Sequence, residues 1–169
     1  MNAFLPQRFT KEIELTIDAA PRQIFPLLCP VREYDWIAPW QCRMRYSESG
    51  VAENNCIFET DFPHNGGRET WVVSSYDQDR GIAFVRFTPE EKVVKLDIRL
   101  DGTADGGTRL LWQKTFTGLS PAGNRVVTAM AGDFEAEAAR IGKMLNYYLT
   151  TGRMLPLAEL PPAAAVHQE

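Results

Sequence analysis

Residues 18–40, DAAPRQIFPLLCPVREYDWIAPW, decide the fold, because they place short helical pieces between the first strand of the chain and the rest. Pro21 suits the first turn of a helix, where its missing N–H would have no partner. Pro26 and Pro30 force that helix to be short or broken, since a proline inside a helix removes a hydrogen bond and clashes with the preceding turn. The segment therefore predicts two short helices, the second over residues 31–36, followed by a loop.

Strand-like runs lie on both sides of this helical segment. Residues 9–18 alternate apolar and polar side chains, apart from Lys11, which is the period-two pattern of a half-buried strand. Six further runs follow at hairpin spacing, with turn residues between them. They cover residues 42–49, 56–62, 70–77, 81–88, 92–101 and 108–118. In the first run Cys42, Met44 and Tyr46 share one face, and the polar faces of the first two runs carry opposite charges, which suits pairing between these strands. The chain therefore predicts seven strands, six of them consecutive.

The last element has a different period. Ser120 and Pro121 form a helix start, as N-cap and first helical residue. Apolar residues then recur at spacings of three or four, which indicates one buried stripe of a long amphipathic helix. Gly152 is a typical helix stop. We therefore predict a helix over about residues 124–151.

The composition is that of one soluble domain. The chain has 169 residues, 44% hydrophobic and 24% charged, and we predict a single domain over 1–152 with 153–169 as a C-terminal tail. The net charge of -4 offers no basic field for phosphates, so we expect no nucleic-acid partner. No apolar run approaches the roughly 18 residues that cross a bilayer, and the N-terminus lacks the apolar core of a signal peptide. We expect a cytoplasmic protein without a membrane span.

Cysteine and histidine usage argues against a metal site. An odd number of cysteines, Cys29, Cys42 and Cys56, without CxxC spacing is not typical of a disulfide framework or a zinc site. The two histidines, His64 and His167, do not form a cluster with them. No phosphate-binding loop, dinucleotide fingerprint or hydrolase motif is present. We expect no metal and no cofactor.

The order of elements predicts an α+β architecture, with helices segregated against one antiparallel sheet. Seven strands with a right-handed twist make a curled sheet. The long helix then lies across the concave face, and the two short helices bridge one end. Such an arrangement favours an apolar space between sheet and helix, which is a natural site for a small molecule.

This order, together with IDAAPRQIFPLL at 17–28 and NYYLTTG at 146–152, resembles the START-related, or SRPBCC, superfamily. Its members include polyketide cyclases, lipid-transfer domains, the birch-pollen allergen type and activators of the Hsp90 ATPase. The resemblance covers about residues 9–152. It implies a helix-grip fold around an apolar cavity. It implies no reaction, because the superfamily has no universal catalytic residue.

Positions that face inward supply the candidate ligand-binding residues. For Trp71, Phe84 and Trp112 both faces of the strand are apolar, so alternation alone leaves their orientation open. These residues either line an open pocket or fill a solid core, and the sequence does not distinguish between the two. The candidates are Trp36, Trp40, Cys42, Met44, Phe58, Thr60, Trp71, Phe84, Leu96, Ile98, Trp112, Met130, Phe134 and Ile141.

Three residues are candidates for acid–base or polar chemistry. Glu33 and Asp35 come nearest to a carboxylate pair, but residues two apart do not share a helix face. One of them therefore pairs with Arg32 while the other is solvated, or Glu33 lies at the cavity. His64 is an exposed turn histidine or an acid–base group folded over the cavity mouth. Thr60 binds a ligand or bonds within its own strand, because buried hydroxyls need partners.

These observations support three hypotheses. The first is a protein that binds a small hydrophobic or amphipathic ligand, lipid-like or aromatic, with Trp36 as a plug or gate at one end of the sheet. The second is a polyketide cyclase or aromatase-like enzyme that uses the same cavity. The third is a protein-interaction module like the Hsp90-activator branch. The oligomeric state is monomer or homodimer, the latter through a sheet edge or the long helix.

Overall fold

The computed structural model describes residues 4–63 and 66–160. These residues form one sheet of seven antiparallel strands in the order β1-β7-β6-β5-β4-β3-β2. From β2 onward each strand pairs with the next along the chain, and β1 lies at the opposite edge of the sheet, where it pairs with β7. The strands are β1 Arg8–Ile17, β2 Arg43–Tyr46, β3 Ile57–Phe62, β4 Gly67–Asp77, β5 Gly81–Thr88, β6 Lys92–Gly102 and β7 Thr108–Gly118.

The helical segment after β1 is broken as the prolines predict. Helix α1, Pro21–Ile24, runs directly into a 3₁₀ turn, Phe25–Leu28. The second helical piece is the 3₁₀ turn Glu33–Asp35, shorter than the predicted 31–36. The Ala20 N–H donates to Gln23 Oε1 at 3.0 Å and closes the first turn of α1. The prediction of two short helical pieces is confirmed.

The long helix α2, Pro121–Thr151, lies on the concave face and packs mainly on β7 and β1. Ser120 Oγ accepts a hydrogen bond from the Gly123 N–H at 3.1 Å, and Gly152 ends the helix in the left-handed region at φ 65°. A Cβ on Gly123 would lie 1.8 Å from the Glu91 carbonyl oxygen. Only glycine therefore permits the close contact between the first turn of α2 and the turn before β6.

Strand β2 departs from its predicted extent. It covers four residues, and its register with β3 shifts between Met44 and Tyr46. Because of that irregularity Tyr46 is exposed, so the prediction that it shares the inner face with Met44 is wrong. The predicted pairing of opposite charges between the two strands is confirmed, since Arg45 lies 2.6 Å from Glu59.

The chain continues to pack after α2 ends. Leu155 is buried in the core, and Lys143 Nζ donates to the Glu159 carbonyl oxygen at 2.7 Å. The first part of the segment predicted as a tail therefore folds back along the helix. Within the described part of the chain, no helix is long and apolar enough to cross a membrane.

Candidate functional site

Four charged side chains lie on the inner face of the sheet, where apolar residues were expected. Glu69 on β4, Arg86 on β5, Lys92 on β6 and Lys114 on β7 are each at most 3% exposed. Two carboxylates that are partly exposed pair with them, one from the β5–β6 turn and one from α2. The interior charged cluster consists of Glu69, Arg86, Glu91, Lys92, Lys114 and Glu137.

Glu69 joins the two cations nearest the β3–β4 hairpin. Its Oε2 accepts a hydrogen bond from Arg86 Nη1 at 3.1 Å, and its Oε1 lies 3.4 Å from Lys92 Nζ. Lys92 Nζ also donates to Glu91 Oε1 at 2.7 Å and to Thr88 Oγ1 at 2.9 Å. The lysine therefore links the start of β6 to β5, through Thr88, and to β4, through Glu69.

The second half of the cluster joins sheet and helix. Lys114 Nζ donates to Glu137 Oε1 on α2 at 2.6 Å. Burial lowers the pKa of Lys114, and Glu137 opposes that effect. Burial would raise the pKa of Glu137, but the charges of Lys114 and Arg86 outweigh it and hold that pKa below its usual range. The lowered pKa of Lys114 thus reflects mainly its burial, whereas the lowered pKa of Glu137 reflects the neighbouring cations.

Several polar atoms of this region have no hydrogen-bond partner. They are Arg86 Nε, Arg86 Nη2, Glu69 Oε1 and Trp112 Nε1. The Arg86 guanidinium lies over the Trp71 ring, with Cζ 4.8 Å from its centroid, so its plane is held in place. A buried donor without an acceptor costs about 1–3 kcal/mol, and native proteins keep few of them. These three donors and one acceptor therefore call for an explanation beyond the stability of the core.

An aromatic wall surrounds the arginine. Phe58 stacks on Trp71 with ring centroids 5.3 Å apart. Phe84 meets both rings edge-on, at 6.1 Å from Phe58 and 5.9 Å from Trp71. The charged cluster thus lies in an environment that is otherwise apolar and aromatic, where electrostatic interactions are screened weakly.

Most of the predicted ligand-binding residues point inward, and their role in binding stays a prediction. The three whose orientation the sequence left open, Trp71, Phe84 and Trp112, all face the interior. The buried members are Trp36, Phe58, Thr60, Trp71, Phe84, Leu96, Ile98, Trp112 and Phe134. The partly buried members are Trp40, Cys42, Met44, Met130 and Ile141.

The two tryptophans of the helical segment are fixed by backbone contacts. Trp36 Nε1 donates to the Leu27 carbonyl oxygen at 2.8 Å, and the ring is 1% exposed. Trp40 Nε1 donates to the Pro30 carbonyl oxygen at 2.8 Å. Both indoles tie the segment to itself, which suits closure of one end of the sheet.

The three acid–base candidates have different outcomes. Thr60 Oγ1 accepts a hydrogen bond from Trp71 Nε1 at 2.9 Å, so its hydroxyl has a partner inside the protein. His64 lies outside the described residues. Arg32 pairs with Asp35 at 2.7 Å, but the remaining carboxylate, Glu33, is half-buried, so the expectation that it is solvated is wrong.

Glu33 has a carboxyl whose pKa is strongly raised. Burial raises the pKa of its carboxyl to about 8 from 4.5. Its side chain makes no hydrogen bond or ion pair with the described residues, and its charge contributes to the raised pKa of the Cys42 thiol after burial of that thiol. At neutral pH this carboxyl therefore holds its proton.

A groove of about 610 Å³ lies apart from this interior. It lies beside Pro21, where β4 and β6 end and β5 begins. Its polar rim consists of Ser75, Asp77, Asp79, Arg80, Asp97, Arg99 and Asp101. Ile98 is the one predicted ligand-binding residue that also lines it, so this groove is not the site between sheet and α2 that the sequence predicted.

The charged cluster was missed by sequence reasoning, although a signal was present. Arg86 is in phase with Phe84, and Lys114 is in phase with Trp112 and Phe116, so each strand carries one charged residue among inward-facing apolar ones. When a strand face is assigned as apolar because most of its residues are apolar, a single charged residue on that face is overlooked. The site could have been located from two strands, β5 and β7, in which one charged residue alternates with inward-facing apolar residues.

Solved structures share this architecture at low sequence identity. The Mll3558 protein from Rhizobium loti is 18% identical, with a TM-score of 0.56 over 80% of this chain and 99% of that one. Norcoclaurine synthase from Thalictrum flavum is 10% identical, with a TM-score of 0.61 over 86% of this chain and 88% of that one. DynU16, from the dynemicin biosynthetic locus, is 14% identical with a TM-score of 0.59, and the match covers 85% of this chain and 48% of DynU16.

At such identities the likeness concerns the fold. It confirms the helix-grip fold that the sequence resemblance implied, with a curled seven-stranded sheet, short helices after the first strand and a long helix near the C-terminus. No protein-family model matches the chain, and no curated protein matches it by sequence.

Proposed function

We propose that this chain, which has the helix-grip fold of the START-related superfamily, binds a small and mainly apolar ligand between the concave face of the sheet and α2. The interior charged cluster carries this proposal. The inner faces of β3 to β7 supply a large apolar and aromatic surface, and the cluster adds a few polar groups to it. Such a combination is typical of small-molecule sites, in which apolar walls give affinity and few polar groups give orientation.

The energetic cost of the cluster supports a role in binding. Taking charges out of water costs several kcal/mol per ion, and replacing buried ion pairs by apolar residues often stabilises a protein by about 1–4 kcal/mol. A core selected for stability alone would therefore favour apolar residues in place of Glu69, Arg86 and Lys114. We attribute the retained charges to recognition of a ligand.

Thermal denaturation with a panel of fatty acids, sterols and aromatic polyketides tests this proposal. A ligand at a hundred times its Kd adds about 2.7 kcal/mol, which raises Tm by about 5–10 °C for a chain of this size. No rise in Tm with any member of the panel would refute internal binding.

Two tryptophan substitutions on α2 locate the binding. Ile141→Trp enlarges a side chain on the inner face of the helix, whereas Ala139→Trp makes the same change on its exposed face. We expect the first variant to lose the rise in Tm and the second to keep it. Binding that survives in Ile141→Trp would place the ligand elsewhere, for example in the groove beside Pro21.

A second candidate function is supported by Glu33. We propose as the alternative that the same interior hosts an acid–base reaction of the cyclase kind, with Glu33 as the proton carrier. A carboxyl with a pKa of about 8 is suited to proton transfer near neutral pH. Glu33→Gln should leave ligand binding intact and abolish conversion of the bound compound, as followed by mass spectrometry. Conversion that continues unchanged in Glu33→Gln would eliminate this residue from the chemistry.

A further inference from the structure

We infer that Arg86 binds the carboxylate of an amphipathic organic acid inside the sheet. This inference rests on the proposed function and names the class of its ligand. The guanidinium uses Nη1 for Glu69, at 3.1 Å, whereas its Nε and Nη2 have no hydrogen-bond partner. These two free groups are the edge of the guanidinium whose N–H bonds run parallel. That edge matches the two oxygens of a carboxylate.

The orientation of this edge is fixed before any ligand arrives. Trp71 lies against the guanidinium plane, with Cζ 4.8 Å from the ring centroid, and Glu69 holds one end of it. Trp71 is itself held, because its Nε1 donates to Thr60 Oγ1 and its ring stacks on Phe58. A donor pair that is already oriented loses little conformational entropy on binding, which favours affinity.

The charge of the interior selects an anion over a neutral acceptor. Three cations, Arg86, Lys92 and Lys114, are at most 3% exposed, and Glu69 is the one carboxylate buried to that degree among the described residues. The two other carboxylates of the cluster lie at its wetter margin, with side chains 26% and 34% exposed. Water screens those two more than it screens the cations. The fully buried cations therefore outnumber the fully buried carboxylate by three to one, which favours an anion beside Arg86.

Apolar side chains beside Arg86 supply packing partners for the rest of the acid. On β6 the residue paired with Arg86 is Val94, and the next inward-facing residues are Leu96 and Ile98. These side chains make a hydrocarbon floor that leads away from the guanidinium. The combination of a charged end and an apolar floor is suited to a fatty acid or an aromatic carboxylic acid, and it gives no advantage to a hydrocarbon alone.

Matched probes test the carboxylate directly. We would measure Kd by calorimetry for dodecanoate and dodecanamide, and for naphthalene-2-carboxylate and its amide, so that each pair differs only in its charge. Hydrogen bonds to a charged group imply a preference for the acid of about ten- to a hundredfold. Arg86→Lys keeps the charge and removes the parallel edge, so the preference should fall below about threefold. Arg109→Lys makes the same change at an exposed position of β7, outside the groove beside Pro21, and should alter nothing.

A measurement on the unaltered protein makes the test independent of how the variants fold. The carboxyl ¹³C resonance of labelled dodecanoic acid reports the ionisation of its carboxyl. In the bound state the pKa of that carboxyl should lie at least one unit below its pKa in water.

Equal affinity for acid and amide, with both bound, would overturn this inference and leave internal binding standing. A preference that persists in Arg86→Lys would overturn the assignment to Arg86. Absence of binding by all four probes would contradict internal binding of ligands of this size, and this inference with it.

Discussion

Replacing Glu33 by glutamine should stabilise the protein at pH 7 to 8 and change nothing below about pH 4.5. Burial raises the pKa of the folded-state carboxyl to about 8, whereas the unfolded chain releases this proton near 4.5. Between these values the folded state binds one more proton than the unfolded state. Titration of Glu33 therefore takes nothing from the free energy of unfolding below pH 4.5, and it lowers that free energy progressively as the pH rises to about 8.

The size of this effect follows from the same interval. The difference between 4.5 and about 8 corresponds to about 5 kcal/mol, at about 1.4 kcal/mol for each pKa unit. The Glu33 side chain is half-buried, so water screens part of its charge. We therefore expect Glu33→Gln to gain about 2–3 kcal/mol at pH 8, which is about 4–12 °C in Tm.

Urea denaturation of both proteins at pH values from 4 to 8.5 measures the difference in the free energy of unfolding. Asp35→Asn is the matched control, because that carboxylate is exposed and pairs with Arg32 at 2.7 Å. Its effect should stay within about 1 kcal/mol and show no rise across this range. A Glu33→Gln effect that is independent of pH, or a loss of stability at pH 8, would show that Glu33 is ionised in the folded protein and would refute the reasoning.

Substitutions at three further positions test the packing of the fold. Thr60→Val removes the acceptor of the buried Trp71 indole N–H, 2.9 Å away, and should cost about 1–3 kcal/mol in urea denaturation, whereas Thr60→Ser should cost less because it keeps the hydroxyl. Gly123→Ala sets a Cβ 1.8 Å from the Glu91 carbonyl oxygen and should cost at least about 1–3 kcal/mol, measured as a lower Tm. Gly132→Ala, at an exposed position of the same helix with no neighbour within 4 Å, should instead gain about 0.5–1 kcal/mol. A stabilising Gly123→Ala would contradict the close contact of α2 with the β5–β6 turn.

The fold could be predicted because its signals are local. Alternation along β6 and β7 marks strands, and Ser120 and Gly152 mark the ends of α2, without reference to any distant residue. The error at Tyr46 has a different origin. A change of register between β2 and β3 depends on how the two strands meet, and no period within β2 reports it.

The site was less predictable because its chemistry depends on tertiary packing. Arg86 and Lys114 belong to strands that β6 separates, and the partner of Lys114 is on α2. Only the curvature of the sheet brings these groups into one interior. The burial of Glu33 was equally hard to predict. The spacing of Glu33 and Asp35 does not indicate which of the two side chains is buried in the 3₁₀ turn.

The order of residues along β6 gives the interior a direction. From Lys92 through Val94, Leu96 and Ile98 to Leu100, every second side chain is buried, and the charge is confined to the first of them. The seven residues from Val94 to Leu100 span about 20 Å, at about 3.4 Å for each step between residues. Toward the hairpin, an acid bound at the level of Arg86 would meet the buried Lys92. Toward Leu100 the inward-facing residues of β6 are apolar, and Lys114, beside Leu96 on β7, is paired with Glu137. We expect the apolar end of the acid to run toward Leu100, away from the β3–β4 hairpin, because the reverse orientation would place hydrocarbon against Glu69 and Lys92.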